Sequence, residues 1–165
     1  MYLMDFRTER LPNASPATQQ RILRALLGLS VPAESSGLEP ELLELVKMRA
    51  SQINGCAFCL DMHAKDARAI GETEQRLYLL PAWRETDLYT DREKAALAWT
   101  EALTEIADDR VPDEVYEAVR PHFNDDELAF LTLAVIAINS FNRVNIAFRM
   151  PAGSYQPGAF AGIAA

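Results

Sequence analysis

The sequence predicts an all-α protein of a single domain, and three observations carry that expectation. Apolar residues recur at helix spacing, as in Leu42, Leu45, Val46 and Ile53. Capping patterns punctuate the chain: Thr90-Asp-Arg-Glu93 and Asn124-Asp-Asp-Glu127 each set an N-cap three residues before a glutamate. No stretch reads as a strand, a repeat or a low-complexity tract, and 165 residues suit one ordinary domain of about seven helices, 1–165.

The elements follow in order. Residues 1–16 read as an irregular arm marked by Pro12 and Pro16, and a short helix is expected over 17–27, stopping near Gly28. Pro32, Ser35, Ser36, Gly37 and Pro40 make 32–40 a connection. A helix then runs from about Glu39 to Asn54-Gly55, a pair that tolerates positive φ. The next spans about Cys56 to Ile70, closed by Gly71, and another covers 72–80, closed before Pro81. The Thr90 capping box opens a helix to about Ala107, and Val111-Pro112-Asp113 starts a further one, with proline suited to a first turn. The last helix, from Asn124 to about Arg149, is long and strongly apolar, and the aperiodic tail 152–165 is expected to be loose or to lie on a neighbouring subunit.

Composition narrows the function classes. With 16 basic against 24 acidic residues the net charge is −8, which argues against a nucleic-acid binder and against docking on anionic membranes. The apolar run around 128–138 is short for a span and holds Thr132. Charges at Asp5, Arg7, Glu9 and Arg10 stand where a secretory signal needs an apolar core, so a cytoplasmic location is expected. No glycine-rich phosphate loop is present, which removes the usual nucleotide reading, and no cofactor is expected. The two cysteines lie three residues apart, too close to staple a loop, and in a reducing cytosol such a pair points to redox chemistry or a metal.

The stretch Gly55-Cys-Ala-Phe-Cys-Leu-Asp-Met-His63 is where chemistry concentrates. At about 100° per residue, Cys59 falls about 60° and His63 about 20° from Cys56 around the helix, so all three share a face. Near a helix N-terminus a thiol is acidified, and an imidazole one turn beyond the second sulfur can exchange a proton with it. A thiolate, a second thiol to resolve a sulfenic acid, and a proton source are the needs of a cysteine peroxidase. Folding back at Asn54-Gly55 brings Glu44 within about one turn of His63, where a carboxylate can orient the ring; the alternative is that Glu44 is a solvated acid beside Glu39 and Glu41.

Glu44, then Cys56-Ala-Phe-Cys59, then His63, with Met48-Arg-Ala-Ser-Gln-Ile-Asn-Gly around them and Ile138-Asn-Ser-Phe-Asn-Arg143 downstream, resembles the alkylhydroperoxidase D branch of the carboxymuconolactone decarboxylase-like superfamily. The resemblance covers about 39–151. It implies an all-helical protomer, a homotrimer or homohexamer, and reduction of hydroperoxides at the expense of a dithiol such as dihydrolipoamide or a redox partner protein. It also implies Cys59 as the peroxidatic residue, Cys56 as the more exposed resolving residue, and Glu44 with His63 as a proton relay. Helix position alone favours Cys56 as the more acidic thiol, so the two arguments order the sulfurs differently. Some members carry a histidine where this chain has Phe58.

Other readings stand beside this one. Cys56, Cys59 and His63 with Glu44 or His122 make a conceivable zinc set, although structural zinc usually wants a second compact ligand pair; no metal is expected. The superfamily's lactone decarboxylation has no need of a CxxC pair, and a redox sensor would form the disulfide without turning over. Trp83, Trp99 and Phe130 read as core or subunit contacts, and His122 as a residue closing a helix end. Asn139, Asn142 and Arg143 are polar on an apolar helix and require hydrogen-bond partners there.

Overall fold

The computed structural model describes residues 10–159 and, among them, places eight α-helices and two 3-10 segments with no strand. The helices are α1 (Pro16–Glu34), α2 (Pro40–Asn54), α3 (Ala57–Ala69), α4 (Glu74–Leu79), α5 (Asp91–Thr104), α6 (Ile106–Asp109), α7 (Asp113–Val119) and α8 (Asp125–Ala147). The 3-10 segments are Leu80–Glu85 and Arg120–His122. The expected capping box at Thr90 forms, and the expected N-cap at Asn124 forms one as well: the side chains of Thr90 and Asn124 accept from the backbone N–H of Glu93 and Glu127, and each glutamate reaches back to its cap. Most of the expected arm, residues 1–9, lies outside the described residues, as do tail residues 160–165.

Several stretches differ from expectation, each for a physical reason. The first helix does not stop at Gly28 but continues through Pro32 to Glu34. Its buried face, Leu23, Leu26, Ser30 and Ala33, packs toward α8, and that packing overrides the weak intrinsic preferences of Gly and Pro. The proline falls in the last turn, where few bonds remain to be broken, and the carbonyl its ring crowds belongs to Gly28. The helix α4 ends at Leu79, before Pro81 as expected, and the chain then tightens into the 3-10 segment that buries Leu80 and Trp83. Likewise, α5 stops at Thr104, and the single turn α6 takes up the remainder of the expected helix.

A further difference is the tail, which through Tyr155 is not loose but is bonded to α3 of its own chain. The Gly153 N–H donates to Asp61 at 3.0 Å, Lys65 Nζ donates to the carbonyls of Gly153 and Tyr155, and the Tyr155 hydroxyl donates to Asp66 at 2.9 Å. These bonds depend on backbone groups and on single side chains, which no hydrophobic period announces.

Three apolar clusters hold the bundle. One joins α1, α2, α5, α7 and α8 around Leu42, Val46, Leu131 and Val135, and another joins α2, α3, α4 and α5 around Leu45, Leu80 and Leu97. The third contains both cysteines: Leu23, Ala50, Cys56, Phe58, Cys59 and Ile138. Truncating a fully buried leucine such as Leu45 or Leu97 to alanine is worth about 2–5 kcal/mol in cores of this kind. By length and composition the 23-residue α8 does suffice to cross a membrane, which the shorter apolar run in the sequence did not suggest. Its buried face carries Asn139, Asn142 and Asn145, and these meet partners on α2, α3 and α5.

Candidate active site

The site is built where α2 turns into α3. Gly55 takes the left-handed conformation, φ 69° and ψ 34°, and its own N–H and that of Cys56 close the last turn of α2 onto the carbonyls of Gln52 and Ser51. Cys56 is thereby placed as the N-cap of α3, with Cys59 one turn in and His63 one turn further. All three are buried, at 1%, 0% and 5% exposure. Within the single chain both cysteines are buried, and Cys56 is only marginally more exposed than Cys59.

The two sulfurs lie 2.7 Å apart and share a hydrogen bond, and both cysteines are free thiols. They differ sharply in acidity. Cys56 is pulled down to about 7, chiefly by the hydrogen bond from Cys59, which outweighs burial, with the backbone N–H groups of Cys59 and Phe58 and the amide of Asn142 adding to it. Cys59 is pushed far up, first because it is the proton donor of the pair and then by burial; Asn145 and Asn142 act in the opposite sense. Cys56 is thus the more acidic thiol of the pair, the order that helix position suggests.

Glu44 is not a solvated surface acid. Its carboxylate is half-buried, with Oε2 2.8 Å from Nδ1 of His63 and Oε1 accepting from Lys47 Nζ at 3.1 Å. Burial alone would raise its pKa. The His63 charge and hydrogen bond, followed by Lys47, overcome that and hold it at about 2. Lys47 is itself held above its ordinary value: burial works against its charge, and Glu44 and Glu34 outweigh burial. Glu41, a turn earlier, is exposed.

The polar residues on α8 do find partners. Asn54 Nδ2 donates to Asn139 Oδ1 at 3.0 Å and to Asn142 Oδ1 at 2.9 Å, Asn142 Nδ2 donates to Ser51 Oγ, and Asn139 Nδ2 donates to Thr104 Oγ1. Arg143 donates to the backbone and side-chain oxygens of Asn139. The network fixes the C-terminal turn of α2 against α8 and so fixes the position of Cys56. Trp83 and Trp99 are core residues whose indoles donate to Glu101 and Thr132.

Sequence reasoning missed four members of this neighbourhood. Asn145 Nδ2 donates to Cys59 Sγ at 3.2 Å. Lys47 neutralises Glu44. Asp66 lies near His63 and Tyr155 covers it. The spacing of Asp66 three residues after His63 was the one available signal; the others depend on packing between distant segments. Among the described residues, the His, Cys, Asp and Glu side chains whose ligand atoms fall within 4.8 Å of one another are Glu44, His63 and Asp66. The structure does not assemble a set of Cys56, Cys59 and His63 with Glu44 or His122; His122 belongs to the 3-10 segment before α8. A cavity of about 520 Å³ opens beside His63, walled by Leu23 and Leu27 of α1, Met62 of α3, Phe141 of α8 and Tyr155 of the tail, and neither cysteine lines it.

Known proteins share this arrangement of helices. The model of the carboxymuconolactone decarboxylase family matches residues 16–102, a stretch that takes in α1 and stops short of α8. The uncharacterized protein YdfG of Bacillus subtilis (strain 168) is 46% identical over 132 residues, covering 80% of this chain and 90% of its own. A protein of unknown function from Agrobacterium tumefaciens, for which the role of antioxidant defence protein AhpD has been suggested, superposes with a TM-score of 0.80 at 40% identity, over 90% of this chain and 99% of its own. An uncharacterized peroxidase-related protein from Silicibacter sp. TM1040 shares the fold with a TM-score of 0.70 at 22% identity, over 85% and 72% of the two chains.

Proposed function

The chain belongs to the carboxymuconolactone decarboxylase family as an AhpD-like member, and from that premise we propose that it reduces hydroperoxides through Cys56 and Cys59, with electrons returned by a dithiol. The observation that carries this reading is the pair of free cysteines with sulfurs 2.7 Å apart, one turn from a buried His63–Glu44 pair.

A proton passes from Cys59 to Cys56, and the Cys59 thiolate so formed is held by the Asn145 amide. Its sulfur attacks the distal oxygen of the hydroperoxide, the O–O bond breaks, and Cys59 becomes a sulfenic acid while the alkoxide leaves. The Cys56 thiol gives the alkoxide its proton, producing the alcohol. Cys56, again a thiolate, attacks the Cys59 sulfur and expels hydroxide, which takes a proton from the His63–Glu44 pair and leaves as water. Two electrons have moved from the two sulfurs to the peroxide, and an external dithiol restores them by exchange with the disulfide. A cytoplasmic location and assembly as a homotrimer or homohexamer are part of the same proposal; Ile136 and Ile146, exposed on α8, are apolar surface for such a contact.

The test combines turnover with a thiol count. Reduced protein treated with iodoacetamide should gain two labels by intact mass, and protein exposed first to one equivalent of tert-butyl hydroperoxide should gain none. With dihydrolipoamide present, many equivalents of peroxide should be consumed. Two labels under both conditions would reject the redox pair, and oxidation without turnover would make the chain a sensor.

A further inference from the structure

We propose that Asn145 is a catalytic residue of this site: its Nδ2–H group holds the Cys59 sulfur while its Oδ1 receives the O–H hydrogen of the hydroperoxide. This inference rests on the peroxidase reading above and assigns the residue that recognises the reacting end of the substrate.

Asn145 is 3% exposed on α8, and its Nδ2 sits 3.2 Å from Cys59 Sγ. Among the described residues, Asn145 Oδ1 is the buried side-chain oxygen or nitrogen that has no hydrogen-bond partner. Its neighbours on the same helix face, Asn139 and Asn142, are fully engaged with α2 and α5, so the vacancy is particular to the amide that touches the sulfur. A buried amide oxygen left without a donor is unfavourable, and such groups call for an explanation in function or in a bound molecule.

The geometry suits a hydroperoxide. Bond lengths of about 1.23 and 1.33 Å within an amide set its oxygen and nitrogen roughly 2.2 Å apart, so Oδ1 lies within about 5.4 Å of Cys59 Sγ. A distal oxygen at a reactive separation of about 3–3.5 Å from sulfur, and at an O–H···O distance of about 2.5–3.0 Å from Oδ1, spans that gap. The hydrogen of a hydroperoxide is on the distal oxygen, which is the atom that sulfur attacks. When the S–O bond forms and the O–O bond breaks, that hydrogen remains on the transferred oxygen. The same Oδ1 then holds the O–H of the sulfenic acid until Cys56 displaces it as hydroxide.

The assignment separates from simple tuning of the thiol, because an electrophile without an O–H cannot use Oδ1. In Cys56→Ser protein, Cys59 is the sole thiol, and its rates with tert-butyl hydroperoxide and with iodoacetamide are measured side by side, sulfenic acid being trapped with dimedone. Adding Asn145→Ala should lower the peroxide rate by roughly tenfold or more beyond any change in the iodoacetamide rate. Asn145→Ser, which keeps a hydroxyl oxygen, should recover part of the loss. Equal losses with both reagents, or no loss, would overturn the assignment, as would failure of both variants to fold, which would make the amide a packing group. Parent protein run in parallel distinguishes the two levels: a parent inert to peroxide defeats the peroxidase reading itself, whereas an active parent with unselective Asn145 variants defeats this assignment alone.

Discussion

Replacing Glu44 by glutamine should change how the stability of the protein responds to acid, by an amount that the structure fixes. The carboxylate is held at about 2 instead of 4.5, a depression of about 2.5 units, and each unit corresponds to about 1.36 kcal/mol. A carboxyl with a lowered folded-state pKa stabilises the fold above its unfolded value, and the contribution is lost as pH falls toward the folded value. Glu44 therefore contributes about 3 kcal/mol near neutrality, of which about 2 kcal/mol disappears between pH 6 and pH 3. Glutamine cannot titrate, so the stability gap between the parent and Glu44→Gln should narrow by about that amount over the same interval. Urea unfolding at pH 6, 5, 4 and 3 measures it, with Glu41→Gln, at an exposed position one turn away, run in parallel as the control. A gap for Glu44→Gln that does not move with pH would refute the argument that His63 and Lys47 hold this carboxylate ionised. The same variant should consume hydroperoxide about a hundredfold to ten-thousandfold more slowly, recovering in part as pH rises and the thiols ionise unaided.

Cys59→Ser should abolish peroxide consumption, whereas Cys56→Ser should complete one oxidation and stop at a sulfenic acid detectable by dimedone; the reverse pattern would exchange the two roles. Alkylation of the reduced parent against pH should show a first thiol titrating near 7 and mapping to Cys56 by peptide mass, and labelling that maps first to Cys59 would contradict the proton placement. Tyr155→Phe removes the hydroxyl bonded to Asp66 and should cost about 0.5–1.5 kcal/mol in unfolding free energy, read from urea curves, with no loss of helical circular dichroism. Multi-angle light scattering should give a trimer or hexamer, and a monomer at micromolar concentration would reject the assembly.

Much of the site was legible because it obeys local rules. Gly55 breaks the helix where only positive φ fits, the i, i+3 and i+7 spacing sets Cys56, Cys59 and His63 on one face, and an antiparallel return brings Glu44 to His63. Asn139, Asn142 and Arg143 announced a network simply by being polar on an apolar helix. What escaped depends on contacts between segments distant in sequence. Asn145 is one more asparagine on α8 until the structure sets it on Cys59, 86 positions earlier. The continuation of α1 through Pro32 reflects packing on α8, and the tail's seat on α3 depends on carbonyls and one tyrosine. The burial of Cys56 escaped as well, since the start of α3 that carries it is itself packed under Leu23 and Ile138.

The asparagine network has a consequence for how this chemistry can be moved or lost. Asn54, Asn139 and Asn142 tie the end of α2 to α8, and amide donors from α8 reach both sulfurs, Asn142 favouring the thiolate of each and Asn145 that of Cys59. A peptide carrying residues 51–63 alone would lack those amides, the return of Glu44 and the burial, and its two thiols would titrate as an ordinary dithiol does. The reactivity is thus a property of three helices held in register. Grafting the CxxC segment onto another scaffold would transfer the letters and leave these donors behind, while a substitution at Asn142, well away from the motif in sequence, would withdraw a donor from both sulfurs at once.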